Sequence, residues 1–154
     1  MSQVEERLAA LGLTVPDVAA PVAAYVPAVR SGSLVFLSGQ LPFRDGALPA
    51  TGKVGAEVSA EEAKELAAIS ALNAIAALKS VVGDLDKVVR IVKVGAFVAC
   101  TPDFTGHPGV VNGASELFAA AFGEAGVHAR TSVGVPSLPL DSPVEVDLVA
   151  EVAD

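Results

Sequence analysis

Within residues 129–147, ARTSVGVPSLPLDSPVEVD, one arginine and one glutamate sit inside two otherwise apolar, strand-like runs. A guanidinium in a partly dry cleft takes a carboxylate in fork geometry, through charge-assisted hydrogen bonds of roughly 1.5 to 3 kcal/mol each. A glutamate nearby can hold a water and partly deprotonate it. Arg130 and Glu145 are therefore the residues whose chemistry the rest of the chain has to position. Thr131, Val133 and Val135 alternate with Arg130, Ser132 and Gly134. A period-two strand then puts the guanidinium, a hydroxyl and bare backbone on one face. Pro136, Pro139 and Pro143 enforce an extended loop. A second strand follows at residues 144–152, where Val144, Val146, Leu148, Ala150 and Val152 alternate with Glu145, Asp147, Val149 and Glu151.

A hairpin that paired Val135 with Val144 would leave Glu145 on the order of 13 Å from Arg130, four residues along a strand. Either the register differs, or the two charges serve one site through a second copy of the chain. The purely architectural alternative is an ion pair of Arg130 with Asp147 or Glu145.

The elements that must carry this pair can be read in order. Val4, Leu8 and Leu11 fall at helical spacing, with Gly12 placed to stop the helix and Pro16 just beyond. A hairpin is expected from a strand at residues 25–29 and another at 34–37, with a further short strand at 53–58. Ser59-Ala60-Glu61-Glu62 reads as a capping box, worth about 1 kcal/mol, opening a helix that runs to about Val82, where Gly83 stops it. Ala63, Leu66, Ala67, Ser70, Ala74, Ala77 and Val81 share one side of it, and Asn73 and Ser80 fall opposite or at the edge. Ile69 and Leu72 lie toward the polar side, as a contact with another element or subunit. Residues 88–100 form the most apolar run and read as a central strand buried on each face. A second main helix is expected from Asn112, its N-cap, to Phe122.

The whole is an α+β chain, a single domain over residues 1–154 with residues 1–20 as a helical extension. A sheet of about six strands has two main helices for only one of its faces, so the other face must meet something else. An apolar fraction of 52% points the same way, to an oligomer.

A net charge of −8 repels phosphate backbones and argues against nucleic acid or an anionic membrane as partner. Cys100 is the one cysteine, so no disulfide forms within the chain. The first residues carry acids where a signal peptide would carry bases, and no apolar run is seen of the ~18 residues that spanning needs. A cytoplasmic protein is expected. His107 and His128 lack the spacing of a metal site or triad, and His107 reads as a surface or loop residue. The sequence shows no phosphate loop, paired carboxylates or Ser-His pair.

The run from Ala129 to Asp147 resembles the C-terminal motif of the Rid (reactive intermediate deaminase, YjgF-type) family. Tyr25-Val26, Ser38-Gly39-Gln40-Leu41-Pro42 and Val111-Asn112-Gly113 fall in that family's order, so the resemblance covers residues 21–152. It implies a chorismate-mutase-like fold and a homotrimer whose sheets line a central barrel, with clefts between subunits. It also implies hydrolysis of 2-imino or enamine acids to 2-oxo acids and ammonia, with no cofactor and no metal. Arg130 would hold the substrate carboxylate and Glu145 would activate water. Tyr25, Ser38, Gly39, Asn112, Thr131 and Ser132 would complete the substrate site. Ser132 stands where many members carry Cys. The same clamp without catalysis would make a binding protein for a small 2-oxo acid or related carboxylate metabolite.

Overall fold

A computed structural model describes residues 1–21 and 23–154. Five strands, β1 (Ala28–Ser31), β2 (Leu34–Leu37), β3 (Val88–Ala99), β4 (Ala129–Val135) and β5 (Val144–Val152), form one sheet in the order β1-β2-β5-β3-β4. All neighbours are antiparallel except β3 and β4, which run parallel. Three helices accompany them: α1 (Gln3–Ala10), α2 (Ala60–Val82) and α3 (His107–Phe122). The α+β expectation holds with one strand fewer than the six anticipated. Residues 53–58 make only isolated bridges, Val54 to Val58 and to Cys100, because turns at Gly52 and Gly55 fold the segment back on itself.

The hairpin weighed for β4 and β5 does not form, because β3 lies between them. Val94 of β3 lies opposite Arg130 on one side and Leu148 on the other, while Phe97 lies opposite Val133 and Glu145. This exchange is what β3's composition accommodates. Its 12 residues are long enough to pair along two strands at once, and Val94, Ala96 and Val98 on its inner side are buried under the helices. Its outer side is not covered: Val89 is 50% exposed and Phe36, on β2, is 46%. The expected burial on each face is thus met on one face only. Two irregularities, between Val88 and Arg90 and between Ile91 and Lys93, each insert a residue and bend the strand.

Several boundaries move. β1 begins at Ala28, three residues after Tyr25, which lies in a bend. α3 begins at His107, with Pro108 in its first turn, so Asn112 lies inside the helix and is not its N-cap. The proline-rich loop is not simply extended either. A 3-10 turn at Pro139–Asp141 carries Leu140 and Asp141 at positive φ, and Asp141 pairs with Lys53 at 2.9 Å. At the start of α2, Ser59 accepts from the Glu62 amide at 3.1 Å, the first half of the anticipated capping box.

Helix α2 has the length and composition to cross a membrane, which the sequence reading missed, but 61% of its most apolar window is buried inside this chain. It is a core helix. The stripe read from the wheel is buried except for the partly exposed Val81, and Ile75 and Leu78 are fully buried besides. Asn73, expected at the polar edge, is 4% exposed because its amide donates to the carbonyls of Leu41 (3.0 Å) and Phe43 (2.9 Å), tying down the segment after β2. Ile69 and Leu72 line an open groove whose other sides include residues 12–14, 16–20 and Phe43.

The N-terminal helix is fastened by polar contacts at both ends. Ser2 and Glu5 form a full capping box, Asp86 accepts from the Gln3 amide at 2.9 Å, and Glu5 pairs with Lys79. Chiefly through Lys79, and then Ser2, the Glu5 carboxyl falls to about 2. Val4 and Leu8 are buried, whereas Leu11, read as part of the apolar stripe, is 55% exposed because the helix has ended at Ala10.

Helices α2 and α3 cross where Gly113 lies against α2: a Cβ at this position would stand 2.0 Å from the Lys64 carbonyl oxygen. Backbone cannot yield as a side chain can, so the two helices would have to separate. Gly113→Ala is expected to lower stability by about 1 to 3 kcal/mol, read as a shift of the urea midpoint. An unshifted midpoint would mean the crossing is loose.

Candidate functional site

Arg130 stands on the helix-covered side of edge strand β4, beside the N-terminal half of α3. Its Nη1 donates to Asn112 Oδ1 at 2.9 Å and to Ser115 Oγ at 3.2 Å, and its Nη2 to the Pro108 carbonyl at 3.4 Å. Asn112 and Ser115 reach the same guanidinium because three residues along a helix bring side chains to one face. Every partner is neutral. Among the described residues Arg130 has no carboxylate within ion-pair distance, so the architectural pairing with Asp147 or Glu145 is not what the structure contains. Two of its five N–H donors, the Nε–H and one on Nη2, stay unclaimed by those residues.

Glu145 lies elsewhere. Opposed residues in a sheet share a face, so Glu145, with Phe97 and Val133, projects to the open side, while Arg130, with Val94 and Leu148, projects to the helix side. Two strand spacings and three residues separate them, on the order of 14 Å between Cα atoms. A single chain does not bring the two charges together.

Around Glu145 a second cluster forms. The backbone of Gln40 bridges to Val146 through bonds of 2.7 and 3.0 Å, which lays Gly39 against the Glu145 side chain. A Cβ at position 39 would stand 2.6 Å from the carboxyl carbon, so any larger residue would have to push the Glu145 carboxylate aside. Tyr25, Gly39 and Glu145 line one small cavity with Pro27 and Pro139. Ser38 turns away from it, giving its hydroxyl proton to the Val26 carbonyl at 2.6 Å, and so braces the Tyr25 segment. Burial pushes the Glu145 carboxyl above its ordinary range, and the neighbouring Asp147 charge adds to this. Asp147 is also raised by burial, with the Gly95 amide and Lys93 opposing.

The anticipated set therefore divides in two. Arg130, Asn112 and Ser132 share the helix side of β4, with Ser132 two residues along from Arg130 and opposite Ala96. Tyr25, Gly39 and Glu145 share the cavity on the other side. Thr131 belongs to neither group: it faces the open side opposite Gly95.

Two residues of the first group were not anticipated. Ser115 Oγ lies 2.8 Å from His128 Nε2, and His128 Nδ1 lies 2.6 Å from the Gly126 carbonyl. A Ser-His pair thus exists where the sequence showed none, since 13 residues and a change of element separate the partners. His107 is also half-buried and not a loop residue, with its Nε2 3.4 Å from Cys100 Sγ beside Gly134. Burial, and then the charge of Asp103, push the Cys100 thiol up. Among the described residues no group of three or more His, Cys, Asp or Glu could hold a metal ion.

Comparison with known proteins adds the following. A family model described as "YjgF/chorismate_mutase-like, putative endoribonuclease" matches residues 5–152. Protein TCP17 of Trypanosoma cruzi is 42% identical over 150 residues, 97% of this chain and 94% of that protein. A 2-iminobutanoate/2-iminopropanoate deaminase of Salmonella typhimurium is 36% identical over 131 residues, 85% of this chain and 89% of the relative. The crystal structure of Atu1372 from Agrobacterium tumefaciens superposes with a TM-score of 0.93 at 42% identity, covering 98% of this chain and 93% of that one.

The raised Glu145 carboxyl fixes the sign of a stability effect. An acid whose folded value lies above its unfolded one costs stability as pH rises through that interval, because the folded state must release a proton it holds more tightly. Glu145→Gln is expected to raise the melting temperature at pH 7 by a few degrees, the gain fading below about pH 4.5, where the unfolded carboxyl is itself protonated. Thermal scans at the two pH values check this, and a gain that persists at pH 3 would contradict it.

Proposed function

Because the chain belongs to the YjgF/chorismate mutase-like family, we propose that it hydrolyses reactive 2-imino acids to 2-oxo acids and ammonia in clefts between copies of itself. The observation that carries this reading is the neutral cradle of Arg130. A cation held by three uncharged oxygens keeps its charge for a ligand anion, and the two unclaimed N–H groups suit a carboxylate. The relative named for 2-iminobutanoate and 2-iminopropanoate supplies the class of anion.

The reaction asks little of a site. Hydrolysis of an imine adds water to the C=N carbon and expels ammonia from the tetrahedral adduct, so a positioned water and a protonated nitrogen suffice. Glu145 is raised by burial, which makes it a stronger base once ionised, and Tyr25 and Gly39 lie beside it to orient the adduct. For these to act on a carboxylate held by Arg130 they must come from a neighbouring copy. The uncovered face of the sheet, with Val29 54%, Phe36 46% and Val133 41% exposed, gives a reason for copies to meet. A homotrimer with its sheets around a central barrel would cover that face. The cytoplasm is the compartment this reading assumes.

One observation favours a second reading. Arg130 and Glu145 face opposite sides of a single chain, so a protein in which no partner supplies Glu145 would bind a small 2-oxo acid without turning anything over.

Both readings meet one experiment. In the presence of a dehydratase that releases 2-aminoacrylate, the intact protein is expected to accelerate 2-oxo acid formation. Arg130→Ala should abolish the gain, a loss of at least about a hundredfold given the charge-assisted contacts removed. No acceleration by the intact chain would leave only the binding reading, and an undiminished Arg130→Ala variant would end both.

A further inference from the structure

The Ser115 and His128 pair lies directly behind Arg130, and its hydrogen bonds can run in only one direction. The Gly126 carbonyl can only accept, so His128 Nδ1 must carry the proton it shares at 2.6 Å. A neutral imidazole protonated there leaves Nε2 bare, and Nε2 then accepts from the Ser115 hydroxyl at 2.8 Å. With its own proton so committed, Ser115 Oγ offers only lone pairs on its remaining side. It is there that Arg130 Nη1 donates, at 3.2 Å. Any other arrangement leaves one member without a partner, or sets two cations about a single hydroxyl.

The ring is held in its plane as well as by its nitrogens. Phe118, fully buried, meets His128 edge to face, with centroids 5.8 Å apart and an interplanar angle of 90°. The Gly126 carbonyl reaches Nδ1 because the chain passes close over α3. A Cβ at position 126 would stand 2.2 Å from the Phe118 carbonyl oxygen. Local packing thus sets the tautomer before any ligand arrives.

We propose that Ser115 and His128 are positioning residues for the carboxylate anchor. Together they form a one-way hydrogen-bond chain in which Arg130 donates to Ser115, Ser115 to His128 and His128 to the Gly126 carbonyl, which fixes Nη1 and turns the unclaimed Nε–H and Nη2–H toward the ligand. The proposal rests on the carboxylate-clamp reading of Arg130 and extends it to residues that never touch the ligand. A flexible arginine loses rotamer freedom on binding, and an anchored one has already lost it, so the chain acts on affinity.

The test combines binding with a signature of the side chains themselves. 2-Oxobutanoate, the 2-oxo product that hydrolysis of 2-iminobutanoate yields, is titrated calorimetrically into the intact chain and variants. Ser115→Ala is expected to weaken binding about tenfold, the loss of one hydrogen bond to a charged group. Ser115→Thr, which keeps the hydroxyl, should restore it to within about threefold on the same scale. His128→Phe keeps a ring against Phe118 and removes the acceptor. It should match Ser115→Ala, and the double variant should be no worse than either, because one chain is broken once.

Nitrogen-15 NMR of the free protein reads the chain without ligand. His128 should show a protonated Nδ1 and a bare Nε2, and Arg130 a hindered guanidinium that is released in Ser115→Ala and His128→Phe. Additive losses, or an Arg130 signal that neither variant alters while 2-oxobutanoate still binds, would overturn the chain and leave the clamp standing. An intact chain that ignores 2-oxobutanoate would remove the clamp, while a hindered Arg130 freed by both variants would still uphold the chain.

Discussion

A guanidinium lodged between a sheet edge and a helix is usually neutralised by an acid, because leaving a cation partly dry and unpaired is expensive. Arg130 is instead surrounded by the dipoles of an amide, a hydroxyl and a peptide carbonyl. Each satisfies an N–H and none cancels the charge. Much of the fold can be understood as the means of keeping it so. Helix α3 must start early enough to bring the Pro108 carbonyl within reach, and must lie close enough to α2 for Gly113 to touch the Lys64 carbonyl. β3 must separate β4 from β5, since a direct β4–β5 hairpin would place Glu145 and Asp147 on the strand next to Arg130.

That last point also explains the division of polar residues between two faces. In a five-stranded sheet covered by helices on one side, alternate residues of a single strand belong to different environments. Arg130 and Ser132 are sheltered by α3, whereas Thr131 and Val133 look outward. Glu145 and Asp147 are outward too, half-buried by their own surroundings and raised for that reason. A second copy docked on the open face would dry them further, strengthening Glu145 as a base and increasing the cost of its ionisation.

Much of this was legible in the residues. The period-two alternation of Arg130 and Ser132 with Thr131 and Val133, the alanine stripe of α2 and the Gly83 stop all come from local rules that act on neighbours in sequence. What could not be read depends on partners far along the chain. The strand order is one case, because residues 129–135 and 144–152 look like a hairpin until the length of β3 is given two neighbours. The start of α3 is another: a glycine-rich stretch with Pro108 reads as loop, yet that proline fits the first turn of a helix. Asn73 looked like a surface residue because its partners, the carbonyls of Leu41 and Phe43, lie 32 and 30 residues away. Ser115 and His128 were invisible for the same reason. Neither carries a local signal, and only the 3-10 turn at Gly123–Gly126 brings them face to face.

The fastening of α1 acquires a meaning from that turn. Arg7 donates to the Ala121 carbonyl at 3.3 Å and its guanidinium passes 3.6 Å from where a Cβ of Gly123 would be, so the N-terminal helix buttresses the very corner from which the Gly126 carbonyl projects. Helix α1 would thereby stiffen the scaffold behind Arg130. Trimming it would empty the core seats of Val4 and Leu8 and slacken that corner together, so the same helix that closes one end of the interior also steadies what stands behind Arg130.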